Sequence, residues 1–515
     1  MTFRLSLCLV FALPAAVAAQ EGALPPDLDA FVEGVMADHG VPGLALAVVR
    51  GGEVLVAKGY GVRTLGRPER VDEHTLFGIA SNTKAFTATA LGLLVEEGRL
   101  DWEDRVIDHL PWFRMSDPWV TSQLTVRDLL VHRSGLGLGA GDLLFWPTTT
   151  FTRREVVERI AHVPLATSFR SAYAYDNVLY TVAGQLIEEI TGQTWEDFVQ
   201  QRILDPVGMT DARIRQPGID KLSNVSSTHA EVEGTIQLVT PFTIGNTNPA
   251  GGINASATDM ARWLRVQLDS GRVSATERLF SPATTAELWG LVTPMPQQRW
   301  PAALAPLATN FNGYALGFNV KDYRGRKLVT HTGGLPGFIS RVAMIPGSNL
   351  GVAVLTNHES SAMEPITWTI IDHLLGVDHD WRTPFKGLAE AQKLNTAMRN
   401  RATVAARDST TRPSLPLERY AGRYVDPWYG SVTITMEAGT PVIRFDHTPS
   451  MVGELSHWQF ETFLVTWRLR ELRADAYITF TLDPAGKIAE ARMAPASPSV
   501  DFSYDFADLR LVPEP

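Results

Sequence analysis

Two sets of short β-rich runs, separated by a long stretch of helical periodicity, constrain this chain more than any other feature. Leu44 to Val49 and Val54 to Val56 flank Arg50-Gly51-Gly52-Glu53, the pattern of a hairpin. Strand-like runs return only far downstream, at Lys327 to Thr330, Phe338 to Ile345 and Gly351 to Leu355, with Pro346-Gly347-Ser348-Asn349 turning the last pair. The expected fold is α+β: strands from both ends of the domain form one antiparallel sheet flanked by helices, and the helices between them form a subdomain.

The helical readings rest on spacing. Asp27 to Asp38 is amphipathic. From Ser81 to Gly98, Phe86, Ala90, Leu93 and Leu94 fall at i, i+4, i+7 and i+8, one buried face, and Gly98 is a natural stop. Thr125 to His132, Arg153 to His162, Asn177 to Thr191 and Thr258 to Ser270 share that periodicity, and Trp368 to Leu375 closes the domain. Pro294 to Asn312 is proline-rich and without pattern, a long loop. Residues 383–412 read as a charged, partly helical linker. From 413 to 515 the texture is β throughout, with turns at Glu437-Ala438-Gly439 and Asp483-Pro484-Ala485-Gly486. That is the pattern of a small, separate all-β, barrel-like domain. The main domain is expected over 20–382.

The first 19 residues have the form of a secretory signal: Arg4, an apolar stretch from Leu5 to Leu13, and small residues at Ala16-Val17-Ala18-Ala19. A retained anchor is the alternative. No later segment is apolar for long enough to cross a bilayer. The expected location is the periplasm or the outside of the cell. The single cysteine, Cys8, lies in that leader, so the mature chain has no disulfide, thiol nucleophile or cysteine-built zinc site. A net charge of −10 and the lack of a dense basic run speak against a nucleic-acid partner. A small molecule or peptide is the expected partner; oligomeric state is not legible.

Three short motifs carry chemistry. Ser81-Asn82-Thr83-Lys84 puts a hydroxyl and an amine three residues apart at a helix start, on one face. A serine needs a base to become a nucleophile, and Lys84 serves only if burial or nearby charge makes it neutral. Tyr175-Asp176-Asn177 offers a phenol to relay a proton and an amide to hold Lys84 or a substrate. His331-Thr332-Gly333-Gly334 ends a predicted strand, where glycines let a substrate approach the backbone and the amides of Gly334 and Ser81 can form an oxyanion hole. Taken singly, each also fits a bland role: a helix cap at Ser81, a capped turn at Tyr175, a strand-end turn at Gly333-Gly334.

Together, in this order and 94 and 156 residues apart, they resemble the serine penicillin-recognising group, in its class C β-lactamase-related branch of carboxypeptidases, D-aminopeptidases and esterases. The resemblance covers roughly residues 27–380 and extends to Leu124-Thr125-Val126-Arg127-Asp128-Leu129-Leu130, His132-Arg133-Ser134-Gly135 and Ala250-Gly251-Gly252. It implies a serine hydrolase in which Ser81 carries an acyl group, Lys84 takes its proton, Tyr175 serves the leaving group and Asn177 positions the substrate. His331 and Thr332 would meet a substrate carboxylate or other polar group. No metal or cofactor is implied. The alternative with the same motifs is a penicillin-binding receptor that acylates without turnover.

Two departures stand out. His331 occupies a place where many β-lactamases have lysine, which tilts the reading to a peptidase or esterase. Ser168-Phe169-Arg170-Ser171 lacks the Pro-Gly often found before the tyrosine. Leu144, Phe145, Trp146 and Pro147 fit either a substrate-contacting loop or a satellite core, and Trp300 the same. His373, Asp378, His379 and Asp380 match no zinc spacing and read as a helix end. Neither Gly-x-Ser-x-Gly nor His-Glu-x-x-His occurs. Tyr420-Ala421-Gly422-Arg423-Tyr424 and Leu455-Ser456-His457-Trp458 resemble a lipocalin-like domain of unknown function often fused to this group. Its Trp428, Trp458 and Trp467 read as core, with sugar stacking as the alternative. Its role, whether covering the active-site mouth or organising oligomers, stays open.

Overall fold

The computed structural model describes residues 23–215, 217–243 and 245–514. The expected leader lies outside them. Helix α1 (Leu28–His39) leads into a hairpin of β1 (Gly43–Arg50) and β2 (Glu53–Gly61). After the helical insertion come β3 (Thr293–Pro294), β4 (Asn312–Tyr314), β5 (Asn319–Tyr323), β6 (Arg326–Leu335), β7 (Phe338–Ile345) and β8 (Leu350–Thr356). These form one sheet of order β2-β1-β8-β7-β6-β5-β4-β3. β1 pairs antiparallel with β8, Leu44 opposite Thr356 and Arg50 opposite Leu350, so the two ends of the domain meet as expected.

The alternation along β1 explains the layers. Leu44, Leu46 and Val48 enter one core and Ala45, Ala47 and Val49 another, as a strand covered on both faces requires. The first core is completed by Val32 and Val35 of α1, by Ile366 and Ile370 of α5 (the fifth helix named here, Met363–Leu374), and by Trp381. The second holds the insertion, chiefly α2 (Lys84–Glu96), α3 (Val178–Thr191) and α4 (Ala257–Leu268). Every residue of α2 from Lys84 to Leu94 is buried, so α2 is a central helix, with Phe86 stacked on Trp263 of α4 at 3.9 Å.

Two segments differ from their sequence readings. Thr125 to His132 holds only a single tight turn, Arg127–Leu130. The Asp128 carboxylate accepts from the Thr125 amide and hydroxyl and from Arg133, and this local bonding replaces a longer helix. Pro294 to Asn312 contains a turn, Ala302–Leu307, whose Leu304 and Leu307 are buried in the core under α1. Trp300 packs on that same core.

Helix α6 (Arg382–Ala405) connects to the second domain, with Phe385 its one buried residue. There β9 (Gly422–Asp426), β10 (Gly430–Glu437), β11 (Thr440–Phe445), β12 (Val452–Gln459), β13 (Thr462–Trp467), β14 (Ala476–Leu482) and β15 (Ile488–Pro495) form an antiparallel meander, and β16 (Val512–Pro513) returns to pair with β9. Ala491 of β15 and Leu511 exchange both backbone hydrogen bonds, at 2.7 and 3.1 Å, so the last residues bridge the two edges into a near-barrel. Trp428 and Trp467 fill its core, while half-buried Trp458 packs on Tyr477. Between β15 and Leu511 the chain leaves the barrel and reaches back to the first domain.

Candidate active site

Ser81 stands on the tight turn Ala80–Thr83 that feeds α2. Ala80, immediately before it, has φ 49°, a strained conformation for a residue with a Cβ. The turn is held from β7: the Asn82 amide donates to Ser340 Oγ at 2.7 Å, and that hydroxyl donates to the Ile79 carbonyl at 2.7 Å. The nucleophile candidate is therefore fixed before any substrate arrives.

Lys84 follows one turn later, wholly buried because α2 is. Its Nζ lies 3.0 Å from Ser81 Oγ, 2.6 Å from Asn177 Oδ1 and 3.0 Å from the Ala250 carbonyl, beside the rings of Tyr175 and Tyr180. None of the described carboxylates forms an ion pair with it. Burial pulls its pKa from 10.5 to about 7, against the opposing charges of Asp142 and Asp176. Near neutral pH the amine can thus lose its proton and accept one.

Tyr175 lies just before α3. Burial pushes its phenol well above 10, with the neighbouring Ser81 hydroxyl pulling the other way, so the phenol keeps its proton at neutral pH and has one to give. His132 packs on its ring at 4.4 Å and its Nδ1 accepts from the Asp176 amide at 3.2 Å. Asn177 accepts from Lys84 and donates through Nδ2 to Asp142 at 2.8 Å. Asp142 in turn accepts from the Ser503 hydroxyl at 2.9 Å. A buried chain of hydrogen bonds therefore runs from the second domain to Lys84.

The third motif lies on β6. β5 accompanies β6 only as far as Asn319 opposite Thr330, so beyond that point β6 continues without β5 at its edge. Thr332 and Gly334 face the same cavity as Ser81. Gly333 faces the other way: a Cβ there would sit 2.3 Å from the Ile79 carbonyl and 2.6 Å from Ser340 Oγ. A Cβ on Gly334 meets nothing nearer than Ile339 at 3.5 Å. His331 is buried, with Nδ1 at 2.6 Å from the Thr332 carbonyl and Nε2 at 2.8 Å from the Tyr314 hydroxyl. A ring nitrogen facing a carbonyl must carry the proton, so Nδ1 donates and Nε2 accepts from Tyr314. Burial and the nearby Lys84 lower this imidazole to about 3, so it is neutral.

The cavity over Ser81 has a volume of about 390 Å³ and is lined by Tyr175, Asn177, Thr332, Gly334 and, from the second domain, Phe502. It shares Trp146, Phe242, Leu335 and Asp501 with a cavity of about 490 Å³ between the domains. Arg473 of the second domain spans that boundary, its guanidinium bidentate on Glu359 at 2.7 and 2.8 Å. Of the loop singled out in the sequence, Leu144 is buried in the core, Phe145 is buried and lines the cavity over Ser81, Trp146 lines both cavities and Pro147 the larger. The sequence reading missed Asp142, Phe502 and Ser503. The only signal for the last two was an aromatic residue in a stretch without strand periodicity between two strands.

The family model described as Beta-lactamase matches residues 28–375, and that of a domain of unknown function, DUF3471, matches 406–513. The chain is 27% identical over 483 residues to the unguisins hydrolase ungD of Aspergillus violaceofuscus, covering 87% of this chain and 83% of that protein. Among solved structures, the octameric penicillin-binding protein homologue from Pyrococcus abyssi is similar with a TM-score of 0.58 at 21% identity, covering 94% of this chain and 99% of its own. SurE is similar with a TM-score of 0.54 at 21% identity, covering 95% and 98%. At that identity these structures speak to the fold. The family match spans most of the chain and includes every residue of the three motifs: the protein belongs to the Beta-lactamase family of serine hydrolases, which act through an acyl-enzyme.

Proposed function

We propose that this protein hydrolyses an amide or ester through an acyl group carried on Ser81. Ser81 Oγ attacks the carbonyl as the Lys84 amine takes its proton. The amides of Ser81 and Gly334 hold the oxyanion, and Tyr175 passes a proton to the leaving group and regains the one Lys84 took. Asn177 keeps Lys84 aimed, Thr332 meets the substrate, and water then releases the acyl group. The observation that carries this reading is the amine of Lys84, 3.0 Å from Ser81 Oγ, buried and unpaired with any described carboxylate.

The continuous cavities favour a substrate with several residues or a long acyl chain, so a peptide amide is the preferred class. The name of one similar protein, the unguisins hydrolase ungD, agrees with hydrolysis. The leader-like first 19 residues support export to the periplasm or beyond. Among the described residues, no helix is long and apolar enough to cross a membrane. The second domain's near-barrel supports its lipocalin-like reading. A fluorescent fluorophosphonate, followed by peptide mapping, should tag Ser81. Labelling that persists undiminished in Ser81→Ala would refute the assignment.

A further inference from the structure

Helix α6 covers one of its faces and leaves the opposite one open. Phe385 is buried against the first domain, and Thr396 and Asn400, on the same side of the helix, are half-buried. Its paired charges tie it to the first domain as well: Arg382 and Lys386 hold Asp38, and Lys393 holds Glu231. The other side carries Gly387, Ala391, Leu394, Met398, Ala402 and Ala405, at spacings of three and four residues, and all six are exposed. Leu394 is 64% and Met398 54% exposed. Eighteen residues of helix make this an apolar stripe about 27 Å long, facing water.

The stripe is complementary to itself when reversed. Leu394 and Met398 lie equally far before and after Thr396, and so do Gly387 and Ala405. In an antiparallel pair with a two-fold axis at that level, Leu394 of each copy meets Met398 of the other. Gly387 meets Ala405 at both ends, where small side chains let the helices approach closely.

The flanking charges agree with the same arrangement. Glu390 and Arg401 are eleven residues apart, close to three turns, so they lie on one flank of the stripe. The two-fold axis sets that flank against the same flank of the second copy, and Glu390 then faces Arg401 of that copy, twice over. Neither residue pairs with a described residue of its own chain, whereas Lys386 and Lys393 do. A parallel pair would face these charges with Ala391 and Ala402 instead. Flanking ion pairs of this kind select orientation.

We propose that α6 is a dimerisation surface whose occupant is α6 of a second copy, packed antiparallel about a two-fold axis at Thr396. One helix face is small beside the roughly 800 Å² per partner of a standard interface, so the dimer should dissociate on dilution.

Sedimentation velocity of the full chain without its leader, from about 1 to about 200 µM, should show the wild type passing from monomer to dimer. Met398→Glu places a carboxylate in the stripe at an exposed position. It should stay monomeric over that range while its Ser81 labels as in the wild type, which shows that it folds. Glu390→Arg should weaken the dimer by at least about tenfold, and Glu390→Arg combined with Arg401→Glu should recover most of that loss.

Single cysteines report the register, because the chain beyond the leader has none of its own. A mixture of the Leu394→Cys and Met398→Cys proteins should form the mixed disulfide in preference to either symmetric one. A wild type that is monomeric at every concentration would overturn the proposal. So would a Met398→Glu protein that dimerises as the wild type does, a double charge reversal that restores nothing, or symmetric disulfides that dominate the mixture.

Discussion

Replacing Lys84 by methionine should make the protein inactive and, below neutral pH, more stable. The folded protein holds this amine at a pKa of about 7, against an ordinary 10.5. Between those values the unfolded chain binds a proton that the folded protein has released, so stability rises with pH across that window. Below pH 7 both states are charged and the full cost of burial applies. At about 1.4 kcal/mol per pH unit, that cost is about 5 kcal/mol. By pH 9.5 only about 1 kcal/mol of it remains.

Methionine fits the same volume without the charge, and gives up hydrogen bonds to Ser81, Asn177 and Ala250 at about 1 kcal/mol each. Lys84→Met should therefore exceed the parent by about 2 kcal/mol at pH 6, and that margin should fall by about 3–4 kcal/mol at pH 9.5. Urea unfolding of both proteins at the two pH values measures this directly. A variant less stable at pH 6, or a margin that does not move with pH, would mean that the amine is not held neutral by burial, and the base assignment would fail with it.

The adjacent glycines of the third motif should behave oppositely: Gly333→Ala meets backbone and should lower stability by about 2–3 kcal/mol in thermal melts, while Gly334→Ala should cost less than about 1 kcal/mol. Ser503→Ala withdraws a donor that lowers the Asp142 carboxyl, so Asp142 stays neutral to higher pH and raises Lys84 less. Its acid limb in kcat/KM should move to lower pH, with activity reduced by up to roughly tenfold, the loss of one buried hydrogen bond. An unmoved pH profile at full activity would remove Ser503 from the site.

The sheet was legible because short apolar runs such as Phe338 to Ile345 are bounded by turn residues, Pro336-Gly337 before and Pro346-Gly347 after, and α2 because its apolar residues repeat at helical spacing. Thr125 to His132 misled because Asp128 spends its bonding capacity on one turn, an outcome of local side-chain bonding that periodicity does not register. The motif residues were legible as a set, since chemistry ties their types together. Asp142 and Ser503 were not. Each is a common residue in an unremarkable stretch, and its role comes from burial and from which neighbour lacks a partner, properties that exist only once distant segments have packed.

The path of residues 496–510 also sets a schedule. Phe502 and Ser503 come after the whole first domain in sequence, yet one walls the chamber over Ser81 and the other anchors the bonds leading to Lys84. A nascent chain that has completed its large sheet still has an open chamber and a loosely held base. The chamber is therefore finished only when the second domain docks, which ties a complete site to the folding of both domains.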